Sequence, residues 1–191
     1  MLPLTSAARR YLLDLARAAL VAAARGQPPP RPAPPSDFPE LNQLRPVFVS
    51  LHNHGQLRGC VGHIGSDTPL VLLVAQMTQA AARDDSRFSP VTPAEVPDLD
   101  IEISVLSSFF PITPDQIVPG AHGLLVRHGL HRGLLLPQVA SQANWDAPRF
   151  ASETCRKAGL PPDAWQHGAR LEAFTAEIIK EDMPANGLES R

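Results

Sequence analysis

The stretch that most constrains the fold is residues 99–105. Leu99, Ile101, Ile103 and Val105 alternate with Asp100, Glu102 and Ser104. A period of two puts the apolar set on one face and the polar set on the other, which is a strand with one side in a core. Two further stretches read as hairpins. In the first, Val47–Leu51 runs out, Asn53-His54-Gly55 turns and Leu57–Gly62 returns. In the second, Leu124–Val126 runs out, His128-Gly129 turns, Gly133–Leu136 returns and Pro137 stops the strand. Leu171–Lys180 fits a helix or a strand; Phe174, Ala176 and Ile178 alternate with polar neighbours, which favours a closing strand.

Helices fill the remainder. Ser6–Arg25 has Thr5 or Ser6 as its cap and Gly26 as its stop. Ala8, Tyr11, Leu12, Leu15, Ala19 and Leu20 form its buried stripe, with Arg9, Arg10, Arg17 and Arg25 solvated. A second helix begins at Thr68-Pro69, after Ser66-Asp67, and runs to about Arg83. It is apolar nearly all round and belongs under the sheet. Its N-terminus follows the 57–62 strand closely, so its dipole is expected to face that strand. Thr92–Val96 reads as a helical turn. Gln138–Ala143 and Ala147–Ala158 read as helices, the latter capped by Asp146 and stopped by Gly159, and Pro161–Trp165 reads as a turn or short helix. The proline-rich stretch 27–39 is an extended connector. The fold class expected is α+β: a largely antiparallel β-sheet covered by helices. Residues 1–183 form a single domain with the connector inside it, and 184–191 form a flexible tail.

Composition excludes several functions. The net charge is −2 and aromatics are 5%, which argues against a nucleic-acid partner. No apolar run approaches the roughly 20 residues of a membrane span, and residues 1–10 lack a secretory signal. The two cysteines, Cys60 and Cys155, have no CxxC spacing. The expected location is therefore cytoplasmic, with both thiols reduced and no cofactor.

Leu57-Arg58-Gly59-Cys60-Val61-Gly62 is the candidate site. Alternation places Arg58 and Cys60 on one face. Glycine weakens a strand unless a ligand or a packed helix approaches the backbone, and both readings stand for Gly59 and Gly62. An arginine and a helix N-terminus would favour the Cys60 thiolate, which is a nucleophile. Lining a binding site and packing in a core are the other two readings of Cys60. Arg58 either pairs with Glu102 or Asp85 or anchors a carboxylate or phosphate. His122, in the glycine-rich corner 120–123, is a general acid or base, or a histidine bonded to its own loop. His52, His54 and His63 are potential metal ligands near Cys60, but polar residues are expected at a hairpin tip in any case, and no metal site is assigned.

Several blocks together resemble one family. They are Leu57–Gly62, Asp85-Ser86-Arg87-Phe88, Ile101–Leu106, Gly120-Ala121-His122-Gly123-Leu124, Arg132–Ala140, and Trp145 with Cys155 and Lys157–Pro161. In this order they resemble the AMME chromosomal region protein family, whose bacterial and archaeal members are often labelled AmmeMemoRadiSam system protein A. The resemblance covers the chain from the first helix to about Met183. Val61 stands where isoleucine is usual, Ser86 stands where proline is common, and the three histidines lie outside the pattern. The resemblance implies an α+β fold of two unequal subdomains, with the cysteine motif near a cleft between them. It implies no settled reaction. It points to Memo-like and radical SAM proteins as partners. The expected function is an enzyme or enzyme subunit that binds a small anionic or carbonyl ligand. Cys60, Arg58 and His122 would be catalytic, and Gly59, Gly62, Arg87, Glu102 and Gln138 would line the ligand. The alternative is a non-catalytic binding module for those partner proteins.

Overall fold

The computed structural model describes residues 2–33, 36–65 and 67–181. Among these, eight strands form two four-stranded antiparallel sheets with four α-helices, an α+β fold. The largely antiparallel α+β arrangement expected from sequence is present, its strands divided between two sheets. The chain divides into two compact units, the second being Leu106–Glu177. The tail 184–191 lies outside the described residues.

In the first unit, α1 (Ser6–Ala24) begins where the Thr5 hydroxyl accepts from the Ala8 amide at 3.2 Å. It ends at Gly26, which takes a φ of 70°. The sheet holds β1 (Val47–Asn53), β2 (Gln56–His63), β3 (Leu99–Leu106) and β8 (Ala176–Lys180), in the order β2-β1-β3-β8. α2 (Leu70–Arg83) packs on it. Its cap position is Pro69, with no side-chain cap; the Thr68 hydroxyl bonds Asp67 instead. Val47, Val49, Leu51, Ile101 and Ile103 face a core shared with Leu12, Leu20, Leu70 and Val74. Arg17, expected to be solvated, is half-buried. Its guanidinium pairs with Glu181 and donates to the carbonyls of Val96 (3.1 Å) and Leu99 (2.7 Å).

The second unit holds β4 (Phe110–Pro111), β5 (Gly123–His128), β6 (His131–Leu135) and β7 (Arg170–Phe174), ordered β4-β7-β5-β6. α3 (Pro137–Gln142) and α4 (Ala147–Lys157) complete it. The hairpin turn is Gly129-Leu130, one residue later than expected, because His128 pairs with His131. Pro137 opens α3 rather than merely ending β6, as its fixed φ allows at a first helical position. The expected closing strand 171–180 is broken at Thr175 into β7 and β8, which belong to different sheets. Cys155 is fully buried in the core with Phe150 and Leu171.

Candidate functional site

The site grows from β2, an edge strand. A tight turn joins it to β1, with His54 and Gly55 both in the left-handed region at φ 48° and 78°. Asn53 pairs with Gln56 and His52 with Leu57, but Leu51 pairs with Gly59. Arg58 is therefore the extra residue of a β-bulge, which re-aims its side chain. Its guanidinium donates from Nε to Glu95 Oε1 at 2.8 Å and from Nη2 to the Ser89 carbonyl at 3.0 Å. The partner is thus neither Glu102 nor Asp85. The Glu95 carboxyl is held down to about 2, first by the Arg58 guanidinium and then by the Thr92 amide.

The segment after α2 closes the open edge of β2. Asp85 Oδ2 accepts from the Cys60 amide at 2.8 Å, and Arg87 donates to the Cys60 carbonyl at 3.4 Å. Arg87 and Asp85 are themselves paired, at 2.6 Å between Nη2 and Oδ2 and 2.9 Å between Nε and Oδ1. These two side chains stand in for the backbone of a missing neighbouring strand, which removes an unpaired edge at Cys60. Asp85 is buried, with a side chain 6% exposed, and the Arg87 guanidinium holds its carboxyl far below the usual range. The Phe88 ring lies 5.8 Å from the Arg58 guanidinium carbon and 5.5 Å from that of Arg87. Loop and strand are thereby clamped at three successive points.

On the face of the sheet away from α2, Cys60 and Ser50 are paired across β2 and β1, and Ser50 and Glu102 across β1 and β3. The Ser50 hydroxyl donates to Cys60 Sγ at 3.2 Å, and Lys180 Nζ meets Glu102 Oε2 at 2.9 Å. Burial pushes the Cys60 thiol above its ordinary value, against the Ser50 hydrogen bond and the Arg87 charge; Asp85 and Glu102 raise it further. The helix dipole does not oppose this. α2 runs antiparallel to β2, so the end of the helix beside the motif is its C-terminal turn, at Ala81, and not the N-terminus expected from sequence. Thiolate is disfavoured there.

The glycines have packing reasons. A Cβ on Gly59 would lie 2.2 Å from the Ala81 carbonyl oxygen, and one on Gly62 would lie 2.2 Å from the Phe48 ring. His122 lies in the second unit. Its Nδ1 accepts from the Val118 amide at 3.2 Å and its ring meets Phe110 edge-on at 5.9 Å. Gln138 sits in the first turn of α3, its carbonyl accepting from Ser141. The structure thus gathers Arg58, Cys60, Arg87 and Glu102 in the first unit, while His122 and Gln138 belong to networks of the second. His63 pairs with Asp67 at 3.2 Å. Among the described residues, no three His, Cys, Asp or Glu side chains form a group that could hold a metal ion. Nor is any helix among them long and apolar enough to cross a membrane.

Sequence reasoning missed Glu95 and Ser50. Thr92 and Glu95 have capping-box spacing, and Glu95 Oε2 does accept from the Thr92 amide and hydroxyl at 2.8 and 2.9 Å. That signal was legible. Ser50 was not, because the bulge at Arg58 shifts it from Gly59 to Cys60.

Two antiparallel sheets with helices, and a cysteine on a braced edge strand, define the class of protein. The chain belongs to the AMMECR1 family, whose model matches residues 13–179. It is 41% identical over 189 residues to a protein of Methanothermobacter thermautotrophicus, covering 94% of this chain and 97% of that one. It is 42% identical over 164 residues to protein TK0174 of Thermococcus kodakarensis, covering 79% and 80%. The crystal structure of an uncharacterized protein, PH0010, from Pyrococcus horikoshii superposes with a TM-score of 0.82 at 38% identity, covering 93% of each chain.

Proposed function

We propose that this chain acts by binding rather than by turnover, and that the Leu57–Gly62 motif is the braced edge of a protein-docking module. The observation that carries this reading is the use already made of both guanidiniums at the motif. Arg58 donates through Nε to Glu95 and Arg87 is forked onto Asp85, so both guanidiniums are largely neutralised by carboxylates although Arg58 Nη1 is left without a partner, and the Arg87 charge acts against the upward push of burial on the Cys60 thiol without overcoming it. A half-buried thiol whose neighbouring cation is already paired to a carboxylate stays protonated at neutral pH. The glycines that suggested close ligand approach are accounted for by Ala81 and Phe48.

The partners we assign are the Memo-like and radical SAM proteins to which the family label points. The test is co-purification of the full chain with each of these proteins from the same genome. Retained binding by Cys60→Ser is expected. The opposite result is a complex that turns over a substrate, whose activity disappears in Cys60→Ser while its affinity and the variant's fold remain intact; that would make the chain an enzyme subunit.

A further inference from the structure

β6 is the outer strand of its sheet, as β2 is of the other. The register assigns its backbone groups. His128 pairs with His131 across the turn Gly129-Leu130, and so tight a turn makes them a pair that exchanges both N–H···O bonds. Bonding then alternates along the ladder. Val126 and Gly133 are joined in the same way, while Arg132 and Leu134 turn their N–H and C=O groups away from β5. At β2 the outward groups of Cys60 are taken by Asp85 and Arg87. At β6 the outward groups of Arg132 and Leu134 have no partner among the described residues. This edge is open to a further strand.

The same register lines up charge. Arg127 stands directly opposite Arg132 of β6 and directly opposite Arg170 of β7. Residues so paired share a face, with Cβ atoms about 4.5–5.5 Å apart, and like charges in that arrangement repel. Glu172 lies on the same face of β7 and accepts from Arg127 Nε at 2.8 Å. Arg132 and Arg170 are exposed and make no hydrogen bond or ion pair among the described residues. A row of arginines therefore crosses β6, β5 and β7 with its charge only partly offset, and it ends at the open edge.

We propose that the β6 edge takes an extended acidic segment of a partner protein as an added strand. The main chain of that segment bonds Arg132 and Leu134. A glutamate or aspartate directly opposite Arg132 continues the row with the opposite sign. A nucleic acid would meet the arginines but would leave the alternating donors and acceptors of the edge unused. A second copy of this edge would bring another Arg132 beside the row and be repelled. An acidic strand satisfies both features.

The experiment is titration of the full chain, at low salt, into a capped fluorescent peptide of about eight residues that alternates glutamate with threonine, read by anisotropy. The comparisons are the same peptide with glutamine for glutamate, the same peptide N-methylated at each glutamate, and a single-stranded oligonucleotide of equal net charge. The glutamate peptide is expected to bind at least roughly tenfold more tightly than each of them. Arg132→Gln and Arg170→Gln, both at exposed positions, should each weaken it at least roughly threefold with an unchanged thermal midpoint. Arg149→Gln, on α4 and outside the row, should leave binding as it is. No binding at up to about 1 mM protein, equal affinity for the glutamine or N-methylated peptide, tighter binding of the oligonucleotide, or indifference to Arg132→Gln would each overturn the proposal. None of these results bears on the docking role of the motif, because no group is shared between the two surfaces.

Discussion

Asp85 is the residue on which the motif's geometry depends. It is buried, it accepts from the Cys60 amide, and it fixes Arg87 over the Cys60 carbonyl. Removing it leaves a buried amide unsatisfied and a guanidinium unpaired. Asp85→Ala should cost about 2–4 kcal/mol in urea unfolding, and Asp85→Asn less, since an amide oxygen can still accept. Arg58→Ala should cost about 1–2 kcal/mol, because Glu95 is partly exposed and keeps its bonds from Thr92. Equal, negligible effects in both would mean that the brace contributes nothing. The sequence presents Arg58 as a charge beside a cysteine, and that view is incomplete for a physical reason. A regular hairpin would set Arg58 opposite Leu51, on the core face. The bulge passes Gly59 to that position and sends Arg58 outward to Glu95. A single inserted residue leaves no trace in alternation, so neither the partner of Arg58 nor that of Cys60 could be counted out beforehand.

At the scale of elements, glycine marks where backbone meets backbone. Gly59 lies against Ala81 of α2, and Gly133 of β6 lies against α4, where an added Cβ would stand 2.4 Å from the Ala158 nitrogen. Neither neighbour can rotate away. Gly59→Ala and Gly133→Ala should each cost about 1–3 kcal/mol. That is a fall of several degrees in thermal midpoint at roughly 2–4 °C per kcal/mol for a chain of this size. An unchanged midpoint in either variant would contradict the close packing. Elements were the most legible level in the sequence. Caps at Thr5 and Asp146, stops at Gly26 and Gly159, and the alternation of 99–105 all correspond to real boundaries. Three were misread. The N-terminal dipole of α2 was expected near Cys60 because the helix follows β2 directly, yet an antiparallel return brings its C-terminus there. The run 171–180 looked like one strand because alternation continues through it while the chain changes sheet at Thr175. The two-residue strand β4 is too short to carry any period.

For the whole molecule, the two carboxylates of the brace set a dependence on acid. Glu95 is lowered from its ordinary 4.5 to about 2, and Asp85 is lowered further still. A depressed carboxyl stabilises the fold fully above its unfolded value, and that contribution is lost as pH falls through the folded value. Stability should therefore decline from about pH 4.5 downward, and Glu95→Gln should show a shallower decline over that range. Urea midpoints measured from pH 7 to pH 2 would show it, and parallel curves for the two proteins would refute it. The α+β class and the family were both readable from sequence, since each rests on patterns spread over most of the chain. The division into two units was implied only by resemblance, because the segments that leave and re-enter the first unit look like continuous strands. On the docking proposal, Cys60 is a protonated thiol and not an activated nucleophile. The most direct test is the rate of reaction of Cys60 with a small thiol reagent from pH 5 to 10, in a Cys155→Ser background. The burial of the thiol predicts a midpoint above the roughly 8.5 of a free thiol, with slow reaction at neutral pH. A midpoint well below that value, rising when Arg58 is replaced by alanine, would contradict the account and return Cys60 to the role of nucleophile.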